Sequence, residues 1–66
     1  MSRFDLVTIE DVTVVHDTGK ALLCRVGDRE VWIPQSQIHK DSDVYAADTE
    51  GCLVIPEWLA IKKGLV

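Results

Sequence analysis

The sequence lacks any apolar run close to the ~20 residues that a membrane-spanning helix needs. It also lacks a surplus of positive charge, because seven Lys and Arg face eleven Asp and Glu, for a net charge of −4. Nucleic-acid binding draws much of its affinity from neutralising phosphates, so this balance argues against it. We find no signal-peptide pattern at the N-terminus. The sequence therefore predicts a cytoplasmic protein with no membrane partner, for which nucleic acid is the less expected partner.

Cysteine and histidine are also scarce and widely spaced. The candidates for soft metal ligands are His16, Cys24, His39 and Cys52. Structural zinc sites usually carry such residues in close pairs, and no Cys-x₂-Cys or His-x₃-His pair is present. We therefore predict no metal site and no cofactor, and interpret both cysteines as small hydrophobic residues of strands. The sequence leaves a disulfide between Cys24 and Cys52 open.

No combination of nucleophile, base and orienting group indicates a catalytic site. Cys24 has no activating motif around it. Ser36 follows Pro34 and is interpreted as a residue that caps the backbone of a turn. Four loop acids lack the spacing of a calcium loop and are interpreted as solvated: Asp41, Asp43, Asp48 and Glu50. The sequence thus predicts a protein that is not an enzyme.

Apolar residues are what the sequence has in quantity. They make up 47% of its 66 residues, which predicts one globular domain over residues 1–66. A chain of this length buries only about 60% of the surface that its unfolded form exposes. Some apolar side chains must therefore lie on a surface, which favours homo-oligomerisation or docking onto another protein.

Alternating and β-branched residues predict an antiparallel meander of three strands, at residues 4–15, 21–26 and 29–33. Between the strands, Gly19 and the pair Gly27-Asp28 supply the positive φ that hairpin turns need. The pair Glu10-Asp11 interrupts the first segment. A bend, a bulge or a gap between two strands would each explain that interruption.

Pro34 ends the third strand because it has no backbone N–H to donate. The next residues, 35–37, are predicted to form a single 3₁₀ turn, after which Ile38 returns to the core. Two more strands are predicted, a short one at residues 44–47 and a final one at residues 52–55.

A short helix is predicted from Pro56 to Lys63. Proline fits the first turn of a helix, Glu57 suits its positive end, and Gly64 suits the C-cap. The sequence therefore predicts a mainly β fold, a small antiparallel meander or an SH3-like barrel of about five strands, with a 3₁₀ turn and a C-terminal helix.

Two segments carry a resemblance to known proteins. The runs Trp32-Ile33-Pro34-Gln35-Ser36-Gln37-Ile38 and Ile55-Pro56-Glu57-Trp58-Leu59-Ala60 resemble a family of small, mostly uncharacterised phage, prophage and bacterial proteins. The resemblance implies a phage or prophage setting and a β-rich fold. It brings no catalytic residue with it.

Trp32 alternates with Val31 and Ile33, so it lies on the opposite face of the strand from them. If those two residues enter the core, Trp32 is on the outer face. There we expect the C-terminal helix to cover it, against Trp58, because large aromatic side chains dominate core packing. The alternative is an exposed patch with Leu23, used as an interface.

The function that these observations favour is an interaction module of phage type. It would act through protein–protein contacts with a copy of itself, or with a phage or host protein of the nucleic-acid or host-defence machinery. One alternative is an oligomeric protein that sequesters a nucleotide with Arg25, Arg29 and Lys40; another is a small barrel that binds single-stranded nucleic acid. The predicted binding residues are Arg25, Arg29, Trp32, Gln35, Gln37 and Trp58.

Overall fold

A computed structural model describes residues 5–66, so the predicted first residue of the first strand, Phe4, lies outside the described residues. The elements are β1 (Leu6–Asp17), β2 (Ala21–Val26), β3 (Arg29–Pro34), a 3₁₀ turn (Gln35–Gln37), β4 (Glu50–Pro56) and α1 (Glu57–Lys62). The four strands form one antiparallel sheet in the order β3-β2-β1-β4. The predicted mainly β fold, with its meander, its 3₁₀ turn and its helix, is confirmed.

Both predicted hairpin turns are present. Gly19 has φ +89° and Gly27 has φ +63°, the left-handed values that glycine adopts without strain. The first turn is further held by Asp17, whose Oδ1 accepts a hydrogen bond from the Gly19 N–H at 2.7 Å. Local sequence chemistry therefore sets the register of the whole meander.

β1 is one continuous strand whose pairing with β4 is irregular at Glu10-Asp11. Its register against β4 shifts between Ile9 and Val12, and Asp11 has φ +59°. Of the alternatives for this pair the bulge is the correct one. Because of the extra residue, Ile9 and Val12 both face the core, and β1 pairs with β4 along one edge and with β2 along the other.

The core lies on one face of the sheet, which we call the inner face. Leu22, Cys24 and Ile33 of the meander pack there against Leu53 and Ile55 of β4, all with no exposed surface. Each fully buried Leu or Ile contributes about 1.5–3 kcal/mol relative to an exposed one. Cys24 is a small hydrophobic core residue, as predicted, and both cysteines are free thiols.

Helix α1 closes the inner face. Leu59 and Ala60 enter the core, and the predicted bounds are correct to within one residue at each end. Its C-terminal end is fixed by Arg29, whose guanidinium donates to the carbonyls of Gly64 (3.0 Å) and Lys63 (3.4 Å). The helix thus follows β4 directly and is tied to the first residue of β3. Among residues 5–66 no helix is long and apolar enough to cross a membrane.

The strand predicted at residues 44–47 is not formed, so the sheet has four strands and is open. Val44 alone enters the core, and Tyr45 is 71% exposed. The preceding loop runs beside β4, where side chains replace a strand partner. The Val54 N–H donates to Ser42 Oγ (2.8 Å), and the Cys52 N–H donates to Asp43 Oδ2 (3.0 Å). The outer edge of β4 is therefore occupied without a fifth strand.

Candidate functional site

The outer face of the sheet carries a row of three side chains across three strands. His16 of β1 is in register with Leu23 of β2, and Leu23 is in register with Trp32 of β3. The rings of His16 and Trp32 are 6.0 Å apart and nearly perpendicular, at 87°. Trp32 keeps 42% of its surface exposed, and Leu23 is half-buried. These residues form an apolar and aromatic strip on the solvent side of the sheet.

An ion pair borders this strip on the neighbouring cross-strand row. Arg25 Nη2 lies 3.3 Å from Glu30 Oε2, and both side chains are about half exposed. Such a pair contributes less than about 1 kcal/mol to stability. Because one cation is paired with one anion, this border of the strip has no net charge. We call the set His16, Leu23, Arg25, Glu30 and Trp32 the Trp32 surface.

The predicted packing of Trp32 beneath the C-terminal helix is wrong. Trp32 lies outside the core, and Trp58 makes no ring contact with it within residues 5–66. Helix α1 packs on the inner face through Leu59 and Ala60, whereas Trp32 projects from the outer face. Trp58 is equally exposed, at 42%, on the solvent side of α1 near Ile61. The alternative, an exposed patch of Trp32 with Leu23, is what the structure has.

The remaining predicted binding residues are spread over the molecule. Arg29 pairs with Val26, one step from the pairing of Arg25 with Glu30, so the two arginines belong to opposite faces. Arg29 is engaged at the end of α1. Gln35 Nε2 donates to Asp17 Oδ1 at 2.7 Å and links the 3₁₀ turn to the first hairpin turn. Gln37 is half-buried in that turn.

Ser36 does not have the predicted capping role. The 3₁₀ turn has Pro34 as its N-cap and no side-chain hydrogen bond there, and Ser36 is exposed. The residue that bonds to the backbone is Ser42, in the following loop. Asp43 likewise is not simply a solvated turn residue, because its carboxylate accepts from the Cys52 N–H.

A cleft of about 300 Å³ separates the 3₁₀ turn from this loop. Lys40 and Tyr45 line it beside Gln35 and His39. His39 Nδ1 accepts a hydrogen bond from the Asp41 N–H at 3.1 Å and lies 3.4 Å from Asp41 Oδ2. Both contacts hold the His39 imidazole against its own loop. The cleft is near the lower limit for small-molecule sites. Sequence reasoning missed it because the cleft depends on how the loop folds.

Both thiols have raised pKa values, which lowers the fraction of nucleophilic thiolate. Burial raises the pKa of Cys24 to about 11. Burial, and next the nearby Asp43 carboxylate, also raise the pKa of Cys52. The four metal-ligand candidates of the sequence do not meet: His16 is on the outer face and Cys24 is in the core. Within residues 5–66 no three His, Cys, Asp or Glu side chains are grouped to hold a metal ion.

No protein-family model, curated protein or solved structure matches this chain. The resemblance to small phage and bacterial proteins therefore stays a prediction from the sequence.

Proposed function

We propose that this domain is a non-enzymatic module that binds another protein through the Trp32 surface. The observation that supports the proposal most is that Trp32, in the edge strand β3, is 42% exposed while its ring meets the ring of His16 edge to face. Trp and Arg are among the residues most enriched at the centres of protein interfaces. A sheet face with an apolar and aromatic strip beside a neutral ion pair fits a protein surface better than a small ligand.

The charges favour a protein over nucleic acid. The chain carries −4, and Arg25, the cation of the Trp32 surface, is paired with Glu30. Single-stranded nucleic acid needs unpaired cations that follow its backbone beside the aromatic side chains. Arg29 cannot add to such a track on this face, because it belongs to the inner face and binds the end of α1.

The partner that the sequence resemblance suggests is a phage or host protein of the nucleic-acid or host-defence machinery. The test is affinity capture from infected and uninfected bacterial lysates on the immobilised domain, followed by titration of the purified captured protein. Trp32→Ala should weaken binding by at least tenfold, about 1.4 kcal/mol, as expected for an interface centre.

Trp58→Ala is the matched control, because Trp58 has the same exposed fraction as Trp32. It removes a similar apolar area from a different part of the surface and should leave the affinity within twofold. Equal losses in the two variants would contradict the Trp32 surface as the binding site, as would unchanged binding in Trp32→Ala.

A second candidate function, nucleotide sequestration, is supported by the cleft between the 3₁₀ turn and the loop. Lys40 supplies a cation and Tyr45 an exposed ring, the two groups that a phosphate and a base would use. A thermal-shift screen with mononucleotides and cyclic nucleotides tests it. A shift lost in Lys40→Met supports this function, and a flat screen removes it.

A further inference from the structure

The edge of the sheet formed by β3 has free backbone groups. Val26 and Arg29 flank a two-residue turn, so Arg29, Val31 and Ile33 exchange hydrogen bonds with β2. The alternation of an antiparallel ladder then turns the N–H and C=O groups of Glu30 and Trp32 away from β2. Within residues 5–66 nothing bonds to these outward groups.

The opposite edge is closed. On β4 the outward N–H groups of Cys52 and Val54 donate to Asp43 and Ser42 side chains. Their carbonyls accept the N–H groups of Asp43 (2.8 Å) and His39 (2.8 Å). Of the two edges of the described sheet, only β3 is therefore ready to pair with another strand.

We propose that β3 pairs antiparallel with β3 of a second copy of this chain, with the two-fold axis between the two Trp32 residues. The pairing joins two four-stranded sheets into one of eight strands. It is independent of the protein partner proposed above, and it places two Trp32 surfaces side by side on one continuous outer face.

The hydrogen-bonding groups of the edge are complementary to themselves in this register. The Trp32 N–H of each copy donates to the Trp32 carbonyl of the other. The Glu30 N–H of each copy donates to the Pro34 carbonyl of the other, a pairing that needs no N–H from the proline. As the N-cap of the 3₁₀ turn this carbonyl already accepts one bond inside the turn, so the pairing uses its second lone pair. Four backbone hydrogen bonds result. Val31 of each copy is then opposite Ile33 of the other, which extends the apolar inner face across the axis.

Charge distinguishes this register from its neighbours. Centring the axis on Val31 also gives four hydrogen bonds, but it makes the two Glu30 side chains diagonal neighbours. Centring it on Glu30 places them directly opposite, where like charges destabilise a pair. The exposed pair with Arg25 weakens the repulsion between the two Glu30 carboxylates without removing it, so the register that separates them is favoured. In the Trp32-centred register an aromatic pair takes the central position, which is worth about 0.2–1 kcal/mol relative to Ala–Ala.

The assembly stops at two copies. A two-fold interface uses the same edge in both partners and so consumes the open edge of each. Each β4 edge is already occupied by its own loop. The structure therefore predicts a dimer that dissociates on dilution, because a six-residue edge is a small interface, and it predicts no extended fibre.

The register is tested by disulfide cross-linking. A single cysteine is introduced on β3 of a Cys52→Ser variant, and the protein is oxidised with glutathione disulfide at several protein concentrations. Cys24 stays, because it is fully buried and its pKa is raised to about 11. Directly opposed hydrogen-bonded residues have Cα atoms about 5.5 Å apart, within the reach of a disulfide. Trp32→Cys should give a disulfide-linked dimer, whereas Val31→Cys and Glu30→Cys should stay largely monomeric.

A second measurement uses the unaltered chain. Sedimentation from micromolar to millimolar concentration should show the mass doubling, and the amides of Glu30 and Trp32 should become protected from hydrogen exchange over the same range. A synthetic chain with an N-methyl group on the Trp32 amide keeps the indole but blocks the edge, and should stay monomeric. Its circular dichroism spectrum shows whether it is folded.

Three results would each overturn the proposal. The first is a monomer at every concentration. The second is faster cross-linking of Glu30→Cys or Val31→Cys than of Trp32→Cys. The third is a dimer in which the Trp32 amide still exchanges rapidly. Loss of the dimer would leave the protein-partner proposal standing, since the two are measured with different reagents.

Discussion

The two edges of the sheet are finished in different ways. β4 runs beside a loop whose Ser42 and Asp43 side chains satisfy its outward amides, whereas β3 presents its outward amides to solvent. Natural sheets cover, charge or shorten their edges because an open edge invites another strand. Here the outward N–H groups of β4 donate to two side chains, and its outward carbonyls accept two backbone N–H groups of the loop. The contrast shows that a loop with donors and acceptors at the right spacing can close an edge without a further strand.

Closure also changes what the strand buries. Three successive residues of β4, Leu53, Val54 and Ile55, are buried, and of these Leu53 and Ile55 belong to the core on the inner face. On β3 only Ile33 is buried, and its neighbours alternate toward solvent. A strand covered on both faces has a continuous apolar run, and a strand covered on one face alternates. The strand at the closed edge therefore buries more apolar side chains than the strand at the open edge.

The largest expected effect comes from Gly51→Ala at the closed edge. Gly51 has φ +136°, and a Cβ there would lie 2.6 Å from the Cβ of Asp43, so the loop would have to move off β4. Backbone strain and overpacking together should reduce the free energy of unfolding by about 2–4 kcal/mol. Urea denaturation measures it.

Gly27→Ala at the turn before β3 is the control. Gly27 also has positive φ, +63°, but a Cβ there would meet nothing within 4 Å. Only the left-handed penalty of about 1–2 kcal/mol applies. If the two variants were equally stable, the close approach of the loop to β4 would not be part of the closed edge.

The next effect is that of Ser42→Ala. The hydroxyl accepts from the Val54 N–H and donates to the Val54 carbonyl at 3.2 Å, so its loss leaves the N–H of a buried residue unsatisfied. The cost should be about 1–3 kcal/mol, with faster hydrogen exchange at the Val54 amide. Ser36→Ala, at an exposed serine, should change stability by less than about 0.5 kcal/mol. A Val54 amide that stays fully protected would refute side-chain closure of this edge.

A smaller effect is expected where the open edge meets the helix. Arg29→Met removes the donors to the Gly64 and Lys63 carbonyls and should cost about 0.5–1.5 kcal/mol. Arg25→Met, which breaks the exposed pair with Glu30, should cost between about 0 and 1 kcal/mol. The two are compared by thermal unfolding. A larger loss in Arg25→Met would contradict the role of Arg29 in holding α1.

The smallest effect concerns the thiol on the closed edge. Burial, and next the Asp43 carboxylate, raise the pKa of Cys52, so Asp43→Asn should lower that pKa and speed the alkylation of Cys52 at pH 8. Asparagine keeps an oxygen for the Cys52 N–H, which preserves the closure. Asp11→Asn, at the weakest of the contributing acids, should change the rate less. Iodoacetamide kinetics on the two variants decide it.

Local signals in the sequence predict most of the meander, the part of the sheet that ends in the open β3 edge. Alternation and the glycines at 19 and 27 predict β2 and β3 with their ends correct to within one residue. β1 continues to Asp17, two residues beyond its predicted end, past a register shift between Val14 and His16. The part of the chain that closes the β4 edge depends on contacts between residues distant in the sequence. The run Val44–Ala47 looks like a strand, yet its neighbours Ser42 and Asp43 already occupy the β4 edge through their side chains. No local pattern in the sequence indicates that these side chains take the place of a fifth strand.

The candidate site divides in the same way. Its outer-face position follows from the alternation of Trp32 with Val31 and Ile33, which the structure confirms by burying Ile33. Whether a helix covers that face depends on the side to which α1 returns, and this is settled by the burial of Leu59 and Ala60 on the inner face. Residue pattern gives the face of a strand, but the covering layer is a property of the whole chain.

The double pairing of β1 has a consequence for folding. Its second edge is completed only when β4 returns from about forty residues further along the chain, and such distant pairing tends to form late. Any molecule in which β4 is not yet paired exposes the edge of β1 as well as the edge of β3, so it has two unpaired strand edges instead of one. Two unpaired edges permit edge-to-edge polymerisation, whereas the native sheet has one unpaired edge and can pair once. Pairing of β4 with β1 therefore limits edge-to-edge assembly to two copies.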